Sequence, residues 1–110
     1  MSHRNGAVVI LVATPDEESA ERVARSLVED RLAACVNTLP GVRSVYRWRG
    51  SVEVAGEVLL VVKARREDVE SIAQRVQQLH PYEVPEVIAL DIVEGHAPYL
   101  EWLRVETDRG

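Results

Sequence analysis

AVVILVA at residues 7–13 and VLLVV at residues 58–62 are two unbroken apolar runs rich in β-branched side chains. A strand with one face in water alternates apolar and polar residues, whereas these runs offer no polar face. Each run therefore predicts a strand that is covered on both sides. Such strands belong at the centre of a sheet, so the flanking segments should supply its edges and its covering helices.

The segment after the first run is typical of an amphipathic helix. Thr14 is predicted to cap its N-terminus, with Pro15 in the first helical position and Glu17 completing a capping box. Acidic residues gather at its start, where the helix dipole favours them, and one apolar stripe follows at helical spacing. The stripe consists of Ala20, Val23, Ala24, Leu27 and Val28.

A long hairpin is predicted between residues 34 and 63. Residues 34–38 alternate as a sheet edge does, Pro40-Gly41 interrupts them with a bend or bulge, and Gly50-Ser51 marks the turn. Strands usually run about 5–6 residues, so this hairpin is long for a small domain. One small sheet cannot cover its aromatic side chains, and we predict a homo-oligomer built on it. The predicted interface residues are Tyr46, Trp48 and Trp102.

The remaining segments complete one fold. An apolar stripe from Val69 to Leu79 predicts a second helix, and residues 87–93 predict a fourth strand. A short helix with apolar and aromatic residues follows near the C-terminus. The order βαββαβ plus a helix, with right-handed crossovers, predicts an α+β, ferredoxin-like sandwich. We assign residues 7–110 to this single domain and residues 1–6 to a disordered polar tail.

Composition argues against several classes of function. The net charge of -5 disfavours nucleic-acid binding, which needs basic residues to neutralise phosphates. No apolar run approaches the roughly 20 residues that a bilayer span needs, so no membrane partner is expected. Cys35 is the only cysteine, which excludes an intrachain disulfide and fits a reducing cytoplasm. No catalytic motif surrounds Cys35, and we predict that the protein is not an enzyme.

His80 and Cys35 are the candidate metal ligands. His80 opens the segment HPYEVPE at residues 80–86, which is either part of a small site or a connector stiffened by its two prolines. Cys35 is either a soft ligand for copper or zinc or a small buried hydrophobe. The two residues can act together only if the fold brings them close, which the sequence leaves open. The other candidate site residues of the segment are Tyr82, Glu83 and Glu86.

Aromatic and basic residues alternate in the hairpin. Tyr46 and Trp48 share one face of the predicted strand, and Arg47 and Arg49 lie on the other. This arrangement could form a cation–π surface for a ligand. We favour packing at a subunit interface, where aromatic residues and arginine are enriched.

Five segments, in this order and spacing, resemble the CutA family. The resemblance runs from about residue 7 to residue 102, nearly the whole chain. Each segment alone is a weak motif, but together they are specific. They are TPDE at residues 14–17, RLAACVN at 31–37, SVYRWRG at 44–50, HPYEVPE at 80–86 and YLEWL at 99–103.

The resemblance implies a cytoplasmic, ferredoxin-like homotrimer in which the long hairpins pair between subunits. The family is associated with tolerance to divalent cations, copper above all, and no agreed catalytic reaction goes with it. Its architecture resembles that of the PII signalling proteins. The resemblance therefore implies divalent metal ions as partners and no required cofactor.

The family's proposed copper ligands carry over only in part. His80 matches the family's histidine before Pro-Tyr, and Cys35 matches the cysteine of its Ala-Ala-Cys segment. Val12 and Leu79 stand where the family has a further cysteine and a second histidine, and neither side chain can ligate a metal. The expectation is weak binding of Cu(II) or another divalent cation in clefts between subunits.

An alternative expectation is a PII-like signalling module. Such a module binds a small metabolite or a partner protein in clefts between subunits. Lys63, Arg47 and Glu86 are the candidate polar anchors. The predicted ligand pocket consists of Lys63, Tyr82, Glu83 and Glu86.

Overall fold

The computed structural model describes residues 5–110, and its order of elements confirms the prediction. Four strands and three α-helices alternate as βαββαβ followed by a helix, which is consistent with the ferredoxin-like α+β fold. One short 3-10 turn, Arg66–Asp68, precedes the second helix. The elements are β1 (Ala7–Thr14), α1 (Glu17–Glu29), β2 (Ala33–Trp48), β3 (Ser51–Arg65), α2 (Val69–Leu79), β4 (Val87–Asp91) and α3 (Ala97–Glu106).

The sheet has the order β2-β3-β1-β4, and its paired strands are antiparallel. The two unbroken apolar runs therefore form the central strands, as predicted. Alternate residues of these strands, such as Ile10 and Leu60, are fully buried against α1 and α2. The helices contribute Val23, Leu27, Ile72 and Val76 to this core. A smaller cluster on the opposite side joins Ala7 and Ala34 to Leu103 of α3.

The β2–β3 hairpin confirms the predicted length and interruption. Its strands have 16 and 15 residues, and the register shifts between Leu39 and Val42. Gly41 lies there with φ of 79°, a conformation that favours glycine. The turn is Arg49-Gly50 rather than the predicted Gly50-Ser51, because Trp48 already pairs with Ser51. Positive φ at both turn residues suits the right-handed twist of a two-residue hairpin.

Asp16, and not Thr14, caps the first helix, so the predicted capping box is wrong. The Asp16 carboxylate accepts a hydrogen bond of 2.7 Å from the backbone N–H of Ser19. Thr14 is fully buried at the end of β1, where its hydroxyl donates to the carbonyl oxygen of Val58 at 2.8 Å. A capping side chain must face the first turn of the helix, and Thr14 faces β3 instead.

The Asp16 cap predicts a specific dependence on pH. Its hydrogen bonds with Ser19 lower the pKa of the Asp16 carboxyl. Its stabilisation is therefore present above the unfolded-state pKa and is lost as pH falls through the lowered folded-state pKa. An asparagine side chain at this position would cap comparably but does not titrate. We expect Asp16→Asn to flatten the acid limb of melting temperature against pH, and an unchanged limb in a thermal-melt series would contradict this assignment.

The structure gives further detail on the start of the domain and on the end of the fourth strand. Residues 1–4 of the predicted tail lie outside the described residues. Asn5 and Gly6 are held to the domain, because the Asn5 amide donates to the carbonyl of Ile92 and the carbonyl of Gly6 accepts from Arg66. The fourth strand ends at Asp91 rather than residue 93. Within residues 5–110, no helix has the length and apolar character needed to cross a membrane.

Candidate functional site

Residues 80–86 cross the end of β1 on their way from α2 to β4. The His80 ring contacts the carbonyl oxygen of Ala13, and the next strand begins beside Val12. β1 ends at Thr14, which is paired with Val58 of β3. The part of β3 that precedes Val58, from Ser51 onward, has no β1 residue beside it. The segment therefore lies against the part of the hairpin that β1 no longer covers. This position explains why its side chains meet those of the hairpin.

His80 is buried, with 6% of its surface exposed, and both ring nitrogens are engaged. Nδ1 accepts a hydrogen bond of 3.1 Å from the backbone N–H of Tyr82. Nε2 must then carry the proton, and it donates to the carbonyl oxygen of Ala13 at 2.5 Å. The ring ties the end of α2 to the end of β1. In this arrangement neither nitrogen has a lone pair free for a metal ion.

Cys35 lies in a polar group on the face of the sheet that is turned away from α1 and α2. It is directly opposite Lys63, whose ammonium group is 3.9 Å from the sulfur and also donates to the Asn37 side chain. Tyr99 of α3 approaches the same thiol. Burial, followed by the charge and hydrogen bonding of Cys35, raises the pKa of the Tyr99 phenol. The thiol is half-buried and surrounded by protein donors.

The fold does not bring His80 and Cys35 together. Cys35 is level with Val9 of β1, since both are paired with Lys63, whereas His80 contacts Ala13. Four residues of strand separate the two levels, or about 13 Å at roughly 3.3 Å per residue. Among residues 5–110, no three histidine, cysteine, aspartate or glutamate side chains are grouped to hold a metal ion.

A cavity of about 660 Å³ lies between the 80–86 segment and the hairpin. It brings together most of the residues that the sequence singled out on either side. Lys63, which was predicted to belong to the same pocket, is not among its lining residues and lies with Cys35 instead. The polar and aromatic lining residues are Ser44, Tyr46, Trp48, Glu57, Tyr82, Glu83 and Glu86.

Glu57 is the site residue that sequence reasoning missed. Its carboxylate accepts hydrogen bonds from the Ser44 hydroxyl at 2.5 Å and the Tyr82 hydroxyl at 2.7 Å. Burial, and then the bond to Glu57, raises the pKa of the Tyr82 phenol, which stays neutral and keeps donating. Glu57 is the last polar residue before the apolar run of β3. Its partner Tyr82 is 25 residues away, and no local pattern links them.

Arg49 contacts two of the residues that line the cavity. Its guanidinium group donates to the Glu83 carboxylate at 2.8 Å and lies 5.1 Å from the centre of the Trp48 ring. Arg49 and Trp48 thus form a cation–π contact within the chain. Both charged side chains are more than two-thirds exposed, so this ion pair is expected to add little stability.

The predicted interface residues are only partly covered in the single chain. Tyr46, Trp48 and Trp102 are 44%, 40% and 41% exposed. Tyr46 and Trp48 border the cavity, while Trp102 packs against Tyr99 on α3, with ring centres 5.4 Å apart. The aromatic residues thus form two separate exposed groups.

Comparison with known proteins agrees with this fold along nearly the whole chain. The family described as CutA1 divalent ion tolerance protein matches residues 8–106. The chain belongs to the CutA1 family. The predicted resemblance is confirmed, and the chain is a divalent-cation tolerance protein of that family.

Bacterial, plant and human CutA sequences are similar to the chain. The Divalent-cation tolerance protein CutA of Thermus thermophilus is 50% identical over 99 residues, covering 90% of this chain and 96% of that protein. Protein CutA of Homo sapiens is 45% identical over 97 residues, covering 88% and 54%. The chloroplastic Protein CutA of Arabidopsis thaliana is 45% identical over 101 residues, covering 92% and 56%. The chain thus spans about half the length of these two eukaryotic relatives.

Solved CutA structures share the fold closely. The Thermus thermophilus divalent cation tolerance protein has a TM-score of 0.90 at 49% identity and covers 93% of this chain and 99% of that one. The periplasmic divalent cation tolerance protein CutA of Archaeoglobus fulgidus has a TM-score of 0.90 at 34% identity, with coverage of 93% and 99%. The names of these relatives thus include a chloroplastic and a periplasmic form.

Proposed function

We propose that the chain works in divalent-cation tolerance as a homotrimer whose subunits associate through the β2–β3 hairpin. The observation that carries this proposal is the exposed apolar surface at the outer end of the hairpin. Val45, Val52 and Val54 are 61%, 62% and 53% exposed there. An exposed, long, apolar strand pair in a single chain is an aggregation hazard unless a partner covers it.

The sheet edges support association in the same way. β2 is the free edge next to β3, and β4 is the other edge, with exposed Ile88 and Leu90. Edge strands carry backbone groups that a strand of another subunit can pair. Interfaces are enriched in the aromatic and arginine residues that this hairpin carries. A closed ring of three copies would cover these surfaces without an open-ended fibre.

Cation binding in this proposal is weak. We keep His80 and Cys35 as the candidate ligands, with Cu(II) or another divalent cation bound in clefts between subunits. His80 must release a backbone hydrogen bond before it can ligate, which lowers its affinity. Val12 is fully buried in the core and Leu79 packs against it, so neither position supplies a donor. The proposal places the protein in the cytoplasm and gives it neither an enzymatic activity nor a required cofactor.

Native mass spectrometry with added copper tests this function. We expect the untagged protein to appear as a trimer that takes up Cu(II) in a fixed ratio, and His80→Ala to lose that uptake while remaining trimeric. Cys35→Ser should weaken it less, because the sulfur is engaged with Lys63 and Tyr99. Uptake that is unchanged in both variants would contradict the proposed ligands without affecting the trimer.

A second candidate function is a PII-like ligand-binding module, and the cavity beside residues 80–86 favours it. Its volume of about 660 Å³ lies within the range of small-molecule sites, and it combines aromatic and polar walls. In this reading the trimer reports the presence of a metabolite to partner proteins. A thermal-shift screen of metabolites against the assembled protein should give a hit that is lost in Glu57→Gln.

A further inference from the structure

The cavity between the hairpin and residues 80–86 has walls suited to a cation. Three carboxylates, Glu57, Glu83 and Glu86, line it together with aromatic residues. Among residues 5–110, no lysine, arginine or histidine is part of its lining. Arg47 lies between Tyr46 and Trp48 in the strand, so its side chain is on the other face of β2. Among the described residues, every charged side chain that lines the cavity is therefore acidic.

The hydrogen bonds of Glu57 fix its carboxylate in place. Ser44 donates to one oxygen and Tyr82 donates to the other, which leaves lone pairs on both oxygens for a further donor. Because the Tyr82 phenol is neutral, it does not cancel the negative charge of Glu57, as a cationic partner would. Glu86 has no ion-pair partner within residues 5–110. A cationic ligand would meet one positioned carboxylate and one unpaired carboxylate.

Arg49 shows which cation these walls accept. At the edge of the cavity its guanidinium carbon lies 5.1 Å from the centre of the Trp48 ring. The same group donates a hydrogen bond of 2.8 Å to the Glu83 carboxylate. A planar guanidinium group both stacks on aromatic faces and matches the two oxygens of a carboxylate, which an ammonium group does less well. The side chain of Arg49 is 69% exposed and can be displaced at small cost. Its contacts with Glu83 and Trp48 show how two of the lining residues bind a guanidinium group.

We propose that this cavity binds a small guanidinium compound, which stacks between the aromatic residues Tyr46 and Trp48 and bonds to Glu57 and Glu86. The proposal rests on the second candidate function and names the chemical class of its ligand. A divalent metal ion fits less well, because Ca²⁺ needs six to eight oxygen ligands and the described residues form no group of three metal-binding side chains.

Isothermal titration calorimetry with three matched compounds tests the proposal on the assembled, untagged protein. The probes are n-butylguanidinium, n-butylammonium and n-butylurea, which share an apolar stem. Butylurea has nearly the shape of butylguanidinium but no charge. We expect butylguanidinium to bind tightest, butylammonium more weakly, and butylurea at least about tenfold more weakly, since hydrogen bonds to charged groups are the strong ones. Calcium chloride and copper chloride, titrated alone, test for a metal site.

Two variants and one control locate the binding. Glu57→Gln should weaken butylguanidinium binding at least about tenfold. Arg49→Gln should strengthen it about twofold to fivefold, because it frees the Glu83 carboxylate and the Trp48 ring for the ligand. Glu70→Gln makes the same charge change on the exposed side of α2, away from the cavity, and should leave affinity unchanged. The gain in Arg49→Gln cannot arise from a folding defect.

Each alternative outcome has a distinct meaning. Equal binding of butylurea and butylguanidinium overturns the guanidinium assignment but leaves a ligand site in place. No binding of any of the three compounds overturns the guanidinium proposal, while hits from other metabolites would keep the second candidate function. Displacement of butylguanidinium by calcium or copper at equal concentration assigns the cavity to a metal ion and also overturns the proposal. Native mass spectrometry measures the number of subunits in the assembly independently of all these results.

Discussion

Replacing Val45 with glutamate and Val54 with lysine in the same chain is expected to convert the proposed trimer into single chains. The two residues are paired across the hairpin, so the new side chains form an opposite-charge pair that keeps the hairpin itself stable. The exposed apolar surface is lost, and with it up to about 1.5–3 kcal/mol for each valine that the trimer would bury. Burying charges at the interface adds a further cost. Sedimentation velocity at matched concentration measures the change.

Val28→Lys is the control for this double variant. Val28 is also an exposed valine, but it lies on α1, on the opposite side of the molecule from the open face of the sheet. It should leave the trimer intact. Circular dichroism establishes that the double variant is folded. A folded double variant that remains trimeric would show that the hairpin end is not the subunit interface.

Replacing His80 with alanine is expected to destabilise the metal-free protein strongly, by about 2–4 kcal/mol. The change leaves the carbonyl of Ala13 and the N–H of Tyr82 without their partners, and it opens a hole where a buried ring had been. The Tyr82 ring, whose centre is 4.5 Å from that of His80, also loses a packing partner. Urea unfolding with chelator present, at one fixed subunit concentration, measures the loss.

His96→Ala is the matched control for this variant. His96 is exposed at the start of α3 and makes no side-chain capping bond there, so its removal should change stability by less than about 0.5 kcal/mol. If His80→Ala is as stable as His96→Ala without metal, the buried hydrogen bonds of His80 do not stabilise the fold. This comparison also separates a structural loss from a loss of copper binding in the native mass experiment.

The fold could be predicted from sequence because its strongest features are local. The apolar runs of β1 and β3 have no polar face, and the stripes of α1 and α2 recur at helical spacing. These patterns fix which strands are central and which side of each helix is buried. The cap of α1 was predicted at Thr14 rather than Asp16, because two nearby residue types can both cap and only the path of the chain decides between them.

The candidate site could be predicted only in part, because its decisive contacts join distant segments. The 80–86 motif and the aromatic hairpin were both identified, and the fold does bring them together. The partner of His80, however, is the backbone of Ala13, and a backbone carbonyl leaves no mark in the sequence. The role of Glu57 could not be predicted either, because an isolated glutamate in a strand is usually a solvated residue. Lys63 was assigned to the same pocket as Tyr82, but the structure pairs it with Cys35, farther along the sheet.

If the exposed hairpin is a subunit interface, the unmodified chain must be a trimer in solution, and its mass shows whether it is. Sedimentation velocity of the untagged protein should be run at low micromolar concentration, with and without chelator. We predict a single species of three times the 12.3 kDa chain mass in both conditions. A single species of 12.3 kDa would show that the hairpin valines are stable in water and that the hairpin does not join subunits.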